Sequence, residues 1–264
     1  MRNYVIGGNW KLQINSLEET KNTLISMKEA LEGENIGSTS VFLALPYTSL
    51  HLGKEILTDS KISLAAQNVH YDESGPYTGE ISIESLKEFN VEFVLIGHSE
   101  RRIIFEETDI ILNKKLLKVL DHGLKVVFCI GETAAQRNSG DYENVLAKQL
   151  EMGLTHVSEE QLSSVVIAYE PVWAINNKLL NPDSEIKAAT PEEADNTHAF
   201  VRSWIANNYS ESASERIQIQ YGGSMKPSNC SSLLSLSNID GGLIGGASLK
   251  PDTFIPIILE TMNN

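Results

Sequence analysis

The stretch VVIAYEPVWAI, residues 165–175, places a carboxylate at the end of a strand. Its first five residues are apolar and mostly β-branched, which is typical of a strand buried on both faces. Glu170 follows at once, and Pro171 ends the strand. Burying an ionisable group is costly. Glu170 is therefore either a catalytic base whose pKa is raised by burial or a carboxylate held by an ion pair. The stretch alone favours neither reading.

The composition excludes several classes of partner. The chain has 264 residues, with 21 Lys and Arg against 35 Asp and Glu, and a formal net charge of −14. So acidic a chain is not expected to bind nucleic acid or an anionic membrane. Its two cysteines, Cys129 and Cys230, predict free thiols in a reducing compartment such as the cytoplasm. Neither a signal peptide nor an apolar run long enough to cross a bilayer is recognisable.

A unit of strand, polar turn and amphipathic helix recurs eight times without a linker. We therefore expect a single domain over residues 1–264 with a parallel sheet and helices outside it. Eight such units favour a closed (β/α)8 TIM barrel. An open doubly wound sheet is the alternative, although no G-x-G-x-x-G motif opens the first helix. The predicted strands are 4–6, 41–45, 62–66, 91–96, 125–130, 165–169, 218–221 and 242–244, and the main helices are 16–31, 50–57, 82–89, 108–121, 142–157, 191–207, 228–236 and 251–262.

Residues that can take part in catalysis or ligand binding follow several of the predicted strands, at the end where barrels carry their active sites. Lys11 can serve as a fixed cation for an anion or a developing oxyanion, or it is a solvated lysine. His98 precedes a predicted helical turn, whose N-terminus disfavours imidazolium, so a neutral proton-shuttling imidazole is expected; a structural histidine is the alternative. Glu100 is expected to pair with Lys11 or with an arginine. The full set is Asn9 and Lys11 after the first strand, His98 and Glu100 after the fourth, and Glu170 after the sixth.

Glycine-rich turns follow the last two strands, as Gly222-Gly223-Ser224 and Gly245-Gly246. Such turns can bring backbone N–H groups to an anion, and barrels often hold phosphate after strands seven and eight. Each pair alone is as well explained by a tight turn. Two pairs on neighbouring strands favour a phosphate site.

Five motifs together resemble the triosephosphate isomerase family. They are GNWK at 8–11, IGHSERR at 96–102, AYEPVWAI at 168–175, YGGS at 221–224 and LIGGASL at 243–249. They occur in the family's order, and the resemblance covers essentially the whole chain. It implies a barrel that interconverts dihydroxyacetone phosphate and D-glyceraldehyde 3-phosphate through an enediolate, in glycolysis and gluconeogenesis. It also implies that no metal or organic cofactor is required.

The resemblance assigns roles by position. Glu170 would move the carbon-bound proton, and His98 would be the neutral electrophile and proton shuttle. Lys11 would supply positive charge to the enediolate and phosphate, and Asn9 would shape the oxyanion site. The remaining implied residues are Ser224, Gly245 and Gly246 at the phosphate, with Glu100 as a supporting carboxylate and Ser99 beside the catalytic pair.

The family is usually a homodimer in which the third loop inserts into the partner. The loop from Gln67 to Glu80, with Thr78 near its end, resembles that element. Tyr71 and Tyr77 on an otherwise polar loop suit an interface. A mobile surface loop is the alternative.

The segment after the sixth strand departs from the family pattern. The resemblance implies a lid with Pro171, Val172 and Trp173 as its near hinge and a Gly-Thr-Gly tip. Here the tip runs from Asn176 to Ile186, eleven residues instead of three, within a lid loop at about 171–189. Asn176 takes the position of a phosphate-binding glycine. This enlarged tip leaves two alternatives open: an isomerase of a four-carbon phosphorylated ketose, and a non-catalytic phosphate-binding barrel.

Overall fold

Eight parallel strands form a closed barrel, each strand paired with the next and the last with the first. The computed structural model describes residues 2–175, 177–181 and 188–263. It confirms the barrel predicted from the alternating pattern. The strands are β1 Val5–Asn9, β2 Ser40–Leu45, β3 Ile62–Ala66, β4 Val91–Ile96, β5 Lys125–Ile130, β6 Val165–Tyr169, β7 Gln218–Tyr221 and β8 Gly241–Ile244.

The first strand is longer than its sequence suggests. It was predicted to end at Ile6, yet Gly7 and Gly8 continue the ladder by pairing with Phe42 and Leu43 of β2. A Cβ on Gly7 would lie 2.1 Å from the ring of Phe42. Glycine is thus needed here to make room for a ring inside the barrel rather than to turn the chain.

Helices surround the barrel, and several of them begin with a side-chain cap. The side chain of Ser16 accepts the N–H of Glu19 at the start of the first helix. Two short helices, at 134–138 and 211–216, were not predicted from the sequence. In the described ranges the helices are α1 Leu17–Leu31, α2 Leu50–Leu57, α3 Ile83–Glu88, α4 Ser99–Ile103, α5 Asp109–Asp121, α6 Ala134–Asn138, α7 Tyr142–Gly153, α8 Pro191–Asn208, α9 Glu211–Arg216, α10 Cys230–Leu234 and α11 Pro251–Glu260.

The largest error in a predicted helix boundary is at the end of α7. The prediction carried α7 to residue 157, whereas the helix ends at Gly153. His156 adopts a left-handed backbone with φ of 66°. An α-helix cannot pass through that conformation, so the apolar periodicity beyond Gly153 does not belong to the helix.

The core has two layers because the strands are buried on both faces. Inside the barrel, side chains from alternate strand positions meet, and the rings of Phe42 and Phe93 stack with centroids 4.7 Å apart. Outside it, the other strand face packs against the helices. Since every strand runs in the same direction, the loops after all eight strands open at one end of the barrel. No helix in the described part of the chain is long and apolar enough to span a membrane.

Candidate active site

A cavity of about 700 Å³ opens at the carboxyl ends of the strands. It collects residues that the sequence placed after five different strands, because strand ends that are far apart in the chain are neighbours in a barrel. Its walls include Asn9, Lys11, His98, Glu170, Ser224, Gly245 and Gly246.

Glu170 lies directly beyond β6 and is only 2% exposed. Its backbone N–H extends the strand ladder to the carbonyl of Ile130, at 2.8 Å. Its Oε1 lies 2.9 Å from Nε2 of His98. Its Oε2 accepts the backbone N–H of Ser99 at 2.8 Å, and the Ser99 hydroxyl lies 3.4 Å from Oε1. The carboxylate is therefore buried, and each of these neighbouring groups is a hydrogen-bond donor.

These donors reverse the pKa shift expected for Glu170. Burial raises the pKa of the carboxyl group. The interaction with His98, the N–H of Ser99 and the Lys11 ammonium lower it further than burial raises it, so the pKa of Glu170 lies below its ordinary value. The raised pKa, one of the two readings that the sequence left open, is not found, because the donors that follow β1 and β4 offset the effect of burial.

His98 has its tautomer set by the start of α4. Its Nδ1 accepts the backbone N–H of Glu100 at 3.3 Å, so the imidazole caps the helix. A ring nitrogen that accepts an N–H carries no proton, which leaves the proton of a neutral imidazole on Nε2. That nitrogen faces Glu170. The arrangement fits the neutral imidazole predicted from the sequence.

Lys11 is held by three of its neighbours. Its Nζ forms an ion pair with Oε1 of Glu100 at 2.8 Å, one of the two partners predicted for that carboxylate. Its backbone is left-handed, with φ of 51°. The Asn9 side chain accepts the N–H of Lys11 at 3.0 Å, and the Gln67 amide donates to its carbonyl at 3.0 Å. Sequence reasoning missed Gln67, although it is the first residue after β3.

The glycines around the cavity serve different purposes. A Cβ on Gly222 would lie 2.7 Å from Cγ of Glu170, so this glycine makes room for the carboxylate side chain. A Cβ on Gly246 would meet nothing within 4 Å, so the backbone there is open to a ligand. At Gly245 the nearest atom to a Cβ would be Cε of Lys11, at 3.6 Å. An anion bound at Gly245 and Gly246 would thus lie close to the lysine chain.

Glu132 is a second buried carboxylate that sequence reasoning missed. It is fully buried and accepts hydrogen bonds from the Tyr169 hydroxyl at 2.9 Å and from Nε1 of Trp173 at 2.7 Å. Burial raises the pKa of Glu132. Its backbone carbonyl also accepts the N–H of Val172 at 3.1 Å. Glu132 follows β5 by two residues, so the strand-end rule that singled out Glu170 would have found it.

The predicted near hinge, Pro171, Val172 and Trp173, overlaps a single 3₁₀ turn, Val172–Ala174. Trp173 within it is fixed by its bond to Glu132. The prediction that Asn176 replaces a phosphate-binding glycine lies outside the described residues, as does most of the far part of the tip. Residues 177–181 are described, and Nδ2 of Asn177 donates to Oε1 of Glu100 at 3.0 Å. Part of the enlarged tip thus reaches the Lys11–Glu100 pair.

The loop from Gln67 to Glu80 is buried near its start and exposed at its end. The ring of His70 stacks on Tyr71 and Tyr77, with centroids 4.3 Å and 4.1 Å away. Thr78 is exposed.

Among the residues that the structure describes, no cluster of three or more His, Cys, Asp or Glu side chains is arranged to hold a metal. Cys129 and Cys230 are both free and buried.

The barrel and its cavity define a class of protein: a (β/α)8-barrel enzyme with carboxylate, imidazole and ammonium groups around one site. The family model for triosephosphate isomerase matches residues 4–261. This chain therefore belongs to the triosephosphate isomerase family. It is similar to the triosephosphate isomerase of Treponema denticola, with 44% identity over 98% of this chain and 99% of that protein. It is similar also to that of Fusobacterium nucleatum, with 42% identity over 98% of each chain, and to that of Borreliella burgdorferi, with 43% identity over 98% of each.

Proposed function

We propose that this protein interconverts dihydroxyacetone phosphate and D-glyceraldehyde 3-phosphate by proton transfer through an enediolate. The observation that carries the proposal is the buried pair of Glu170 Oε1 and His98 Nε2, 2.9 Å apart, on the wall of a cavity shared with Lys11. Proton transfer next to a carbonyl needs one group to take the carbon-bound proton and one to polarise the oxygen. This pair supplies both.

In the proposed reaction, the Glu170 carboxylate removes the proton from the carbon beside the carbonyl. The lowered pKa of Glu170 keeps it ionised at neutral pH. His98 donates its Nε2 proton to the carbonyl oxygen and takes the proton of the other oxygen. The enediolate collapses when Glu170 returns its proton to the neighbouring carbon. To reach the substrate, the Glu170 carboxylate must give up its hydrogen bonds to Ser99 and His98 and turn toward the carbon that carries the proton.

The negative charge of the substrate is met by Lys11 and by backbone donors. We assign the phosphate to the N–H groups of Ser224, Gly245 and Gly246, since these residues line the cavity and the backbone at Gly246 is open. Asn9 accepts the N–H of Lys11 through Oδ1. That bond leaves its amide NH₂ group free of hydrogen bonds to the described residues and available to the oxyanion. Carbonyl polarisation and proton transfer require no metal or organic cofactor.

A coupled assay with each triose phosphate tests the proposal. We expect turnover in both directions, and a loss of at least about 1,000-fold in kcat for Glu170→Gln, because the amide cannot accept the proton. Turnover of a four-carbon analogue alone would point instead to an isomerase of a longer ketose. Absence of turnover with either substrate, together with an unchanged Glu170→Gln variant, would leave only a phosphate-binding barrel.

We further propose a cytoplasmic homodimer in which each 1–264 chain forms one domain and the loop from Gln67 to Glu80 contacts the partner. Several large apolar side chains are exposed, including Leu12 at 82%, Phe105 at 61% and Tyr77 at 40%. Exposed aromatic and large apolar side chains are enriched at protein–protein interfaces. Sedimentation velocity should show a dimer for the wild type and a monomer for Thr78→Arg. A monomeric wild type would contradict this part of the proposal.

A further inference from the structure

The enlarged tip begins with a turn that is seated on the near hinge. We call residues 177–181 the hinge turn. Asn181 is only 5% exposed, and its Nδ2 donates to the carbonyl of Val172 at 2.7 Å and to that of Ile175 at 3.0 Å. Inside the turn, Oδ1 of Asn177 accepts the N–H of Leu179 at 2.9 Å. The hinge turn is thus closed on itself and tied to the segment that follows Glu170.

The same turn also reaches a carboxylate that follows β4. Nδ2 of Asn177 donates to Oε1 of Glu100 at 3.0 Å, and this same oxygen accepts Nζ of Lys11 at 2.8 Å. The backbone N–H of Glu100 is bonded to His98. A line of hydrogen bonds therefore runs from the loop after β6, through a carboxylate after β4, to the ammonium after β1.

We propose that Asn177 is a positioning residue that acts through Glu100 to hold the Lys11 ammonium in the cavity. The inference rests on the proposed function, in which Lys11 binds the anionic substrate. A lysine chain is flexible, and the Glu100 side chain is 23% exposed, so the ion pair alone leaves both groups free to rotate. A neutral amide restrains the carboxylate without competing for the ammonium. The hinge turn thereby links the lid loop to the substrate-binding cation.

Two substitutions separate the donor of Asn177 from its other contact. Asn177→Asp keeps an oxygen for the N–H of Leu179 but replaces the donor with a second negative charge beside Glu100. Asn177→Ser keeps a short acceptor and stays neutral but cannot reach Glu100. Leu179→Ala is the matched control, because that side chain is 74% exposed and belongs to the same turn.

The readout is the division of the effect between KM and kcat. Loss of a hydrogen bond to a partly exposed charged group is expected to raise KM about five- to tenfold for Asn177→Ser, and further for Asn177→Asp. Because the phosphate charge that the Lys11 ammonium attracts is the same in the substrate and in the transition state, kcat should change by less than about threefold. The Kd of phosphoglycolate should rise in parallel with KM. Leu179→Ala should match the wild type in all three quantities.

A double-mutant cycle with Glu100→Ala shows whether the effect passes through Glu100. With Glu100 removed, Asn177→Ser should cause no further rise in KM or in the Kd of phosphoglycolate, which serves the cycle if turnover is too slow. Unchanged values in both Asn177 variants, additive effects in the cycle, or an equal loss in Leu179→Ala would overturn the proposal. Wild-type turnover of the triose phosphates is measured separately, so a failure of the proposed function is distinguishable.

Discussion

Replacing Gly222 with alanine should displace the proposed catalytic base without touching its chemistry. The new Cβ would lie 2.7 Å from Cγ of Glu170 and 3.0 Å from the carbonyl oxygen of Tyr169. The carbonyl belongs to β6 and accepts the N–H of Gly222, so it cannot move away. The Glu170 side chain must therefore retreat by about 0.7 Å to regain ordinary van der Waals contact.

The size of the expected loss follows from that displacement. A misplacement of about 1 Å at a reacting group costs about 100-fold in rate. We therefore expect kcat to fall about tenfold to 100-fold in Gly222→Ala, with KM nearly unchanged because the proposed phosphate donors are untouched. Overpacking should also lower the free energy of unfolding by about 1–3 kcal/mol.

Steady-state kinetics and thermal unfolding of two variants check this reasoning. Gly53→Ala in α2 is the matched control, since its Cβ would lie 2.7 Å from Cδ1 of Leu64 and 2.9 Å from Cδ1 of Leu45, in the layer outside the barrel. It creates the same close contact away from the site and should leave kcat unchanged whatever its Tm. A wild-type kcat in Gly222→Ala, or an equal fall in both variants, would refute the argument.

Three further outcomes are expected. Glu132→Ala leaves the buried Tyr169 hydroxyl and the half-buried Trp173 Nε1 without this acceptor and should lower the free energy of unfolding by about 2–5 kcal/mol in urea titrations, whereas Glu132→Gln, which keeps an acceptor oxygen, should lose much less. Asn181→Ala removes two hydrogen bonds to near-hinge carbonyls and should raise KM several-fold while Tm stays within about 3 °C of the wild type; a Tm loss without a KM change would contradict this. Because the pKa of Glu170 is lowered, its carboxylate stays ionised as the pH falls to the ordinary glutamate value of 4.5. The stability that Glu170 contributes should therefore be fully present above that pH and be lost as the pH falls from there through the lowered pKa. Urea titrations of the wild type and Glu170→Gln across this range measure it, and a contribution that is already lost above pH 4.5 would contradict this.

Two buried carboxylates with opposite pKa shifts lie at the ends of the neighbouring strands β5 and β6. Glu170 is surrounded by donors, and its pKa is lowered. Glu132 is buried with fewer compensating charges, and its pKa is raised. Glu170 thus fits the role of the proposed base, while Glu132 accepts hydrogen bonds from Trp173 and Tyr169 beside the proposed hinge.

Most of the strands could be predicted from the sequence because buried parallel strands are short apolar runs bounded by polar turns. The predicted limits of β3, β4, β5, β6 and β7 agree with the structure. The prediction for β1 stopped too early because glycine is normally read as a turn residue, whereas Gly7 and Gly8 continue the ladder opposite Phe42. The helices α6 and α9 are only five and six residues long, too short to show a clear apolar period.

The sequence by itself determined which groups stand at the strand ends, because the period of the strands and the strand–turn–helix order are local properties of the chain. The structure brings the predicted residues Asn9, Lys11, His98, Glu170 and Ser224 to one cavity, as a barrel requires. Only the tertiary structure decided how these groups act on one another. The lowered pKa of Glu170 and the sharing of one Glu100 oxygen by Lys11 and Asn177 depend on contacts between residues 71 to 89 positions apart. The strength of an electrostatic interaction depends on the distance between the two groups in space. The sequence gives only their separation along the chain, from which that distance cannot be read.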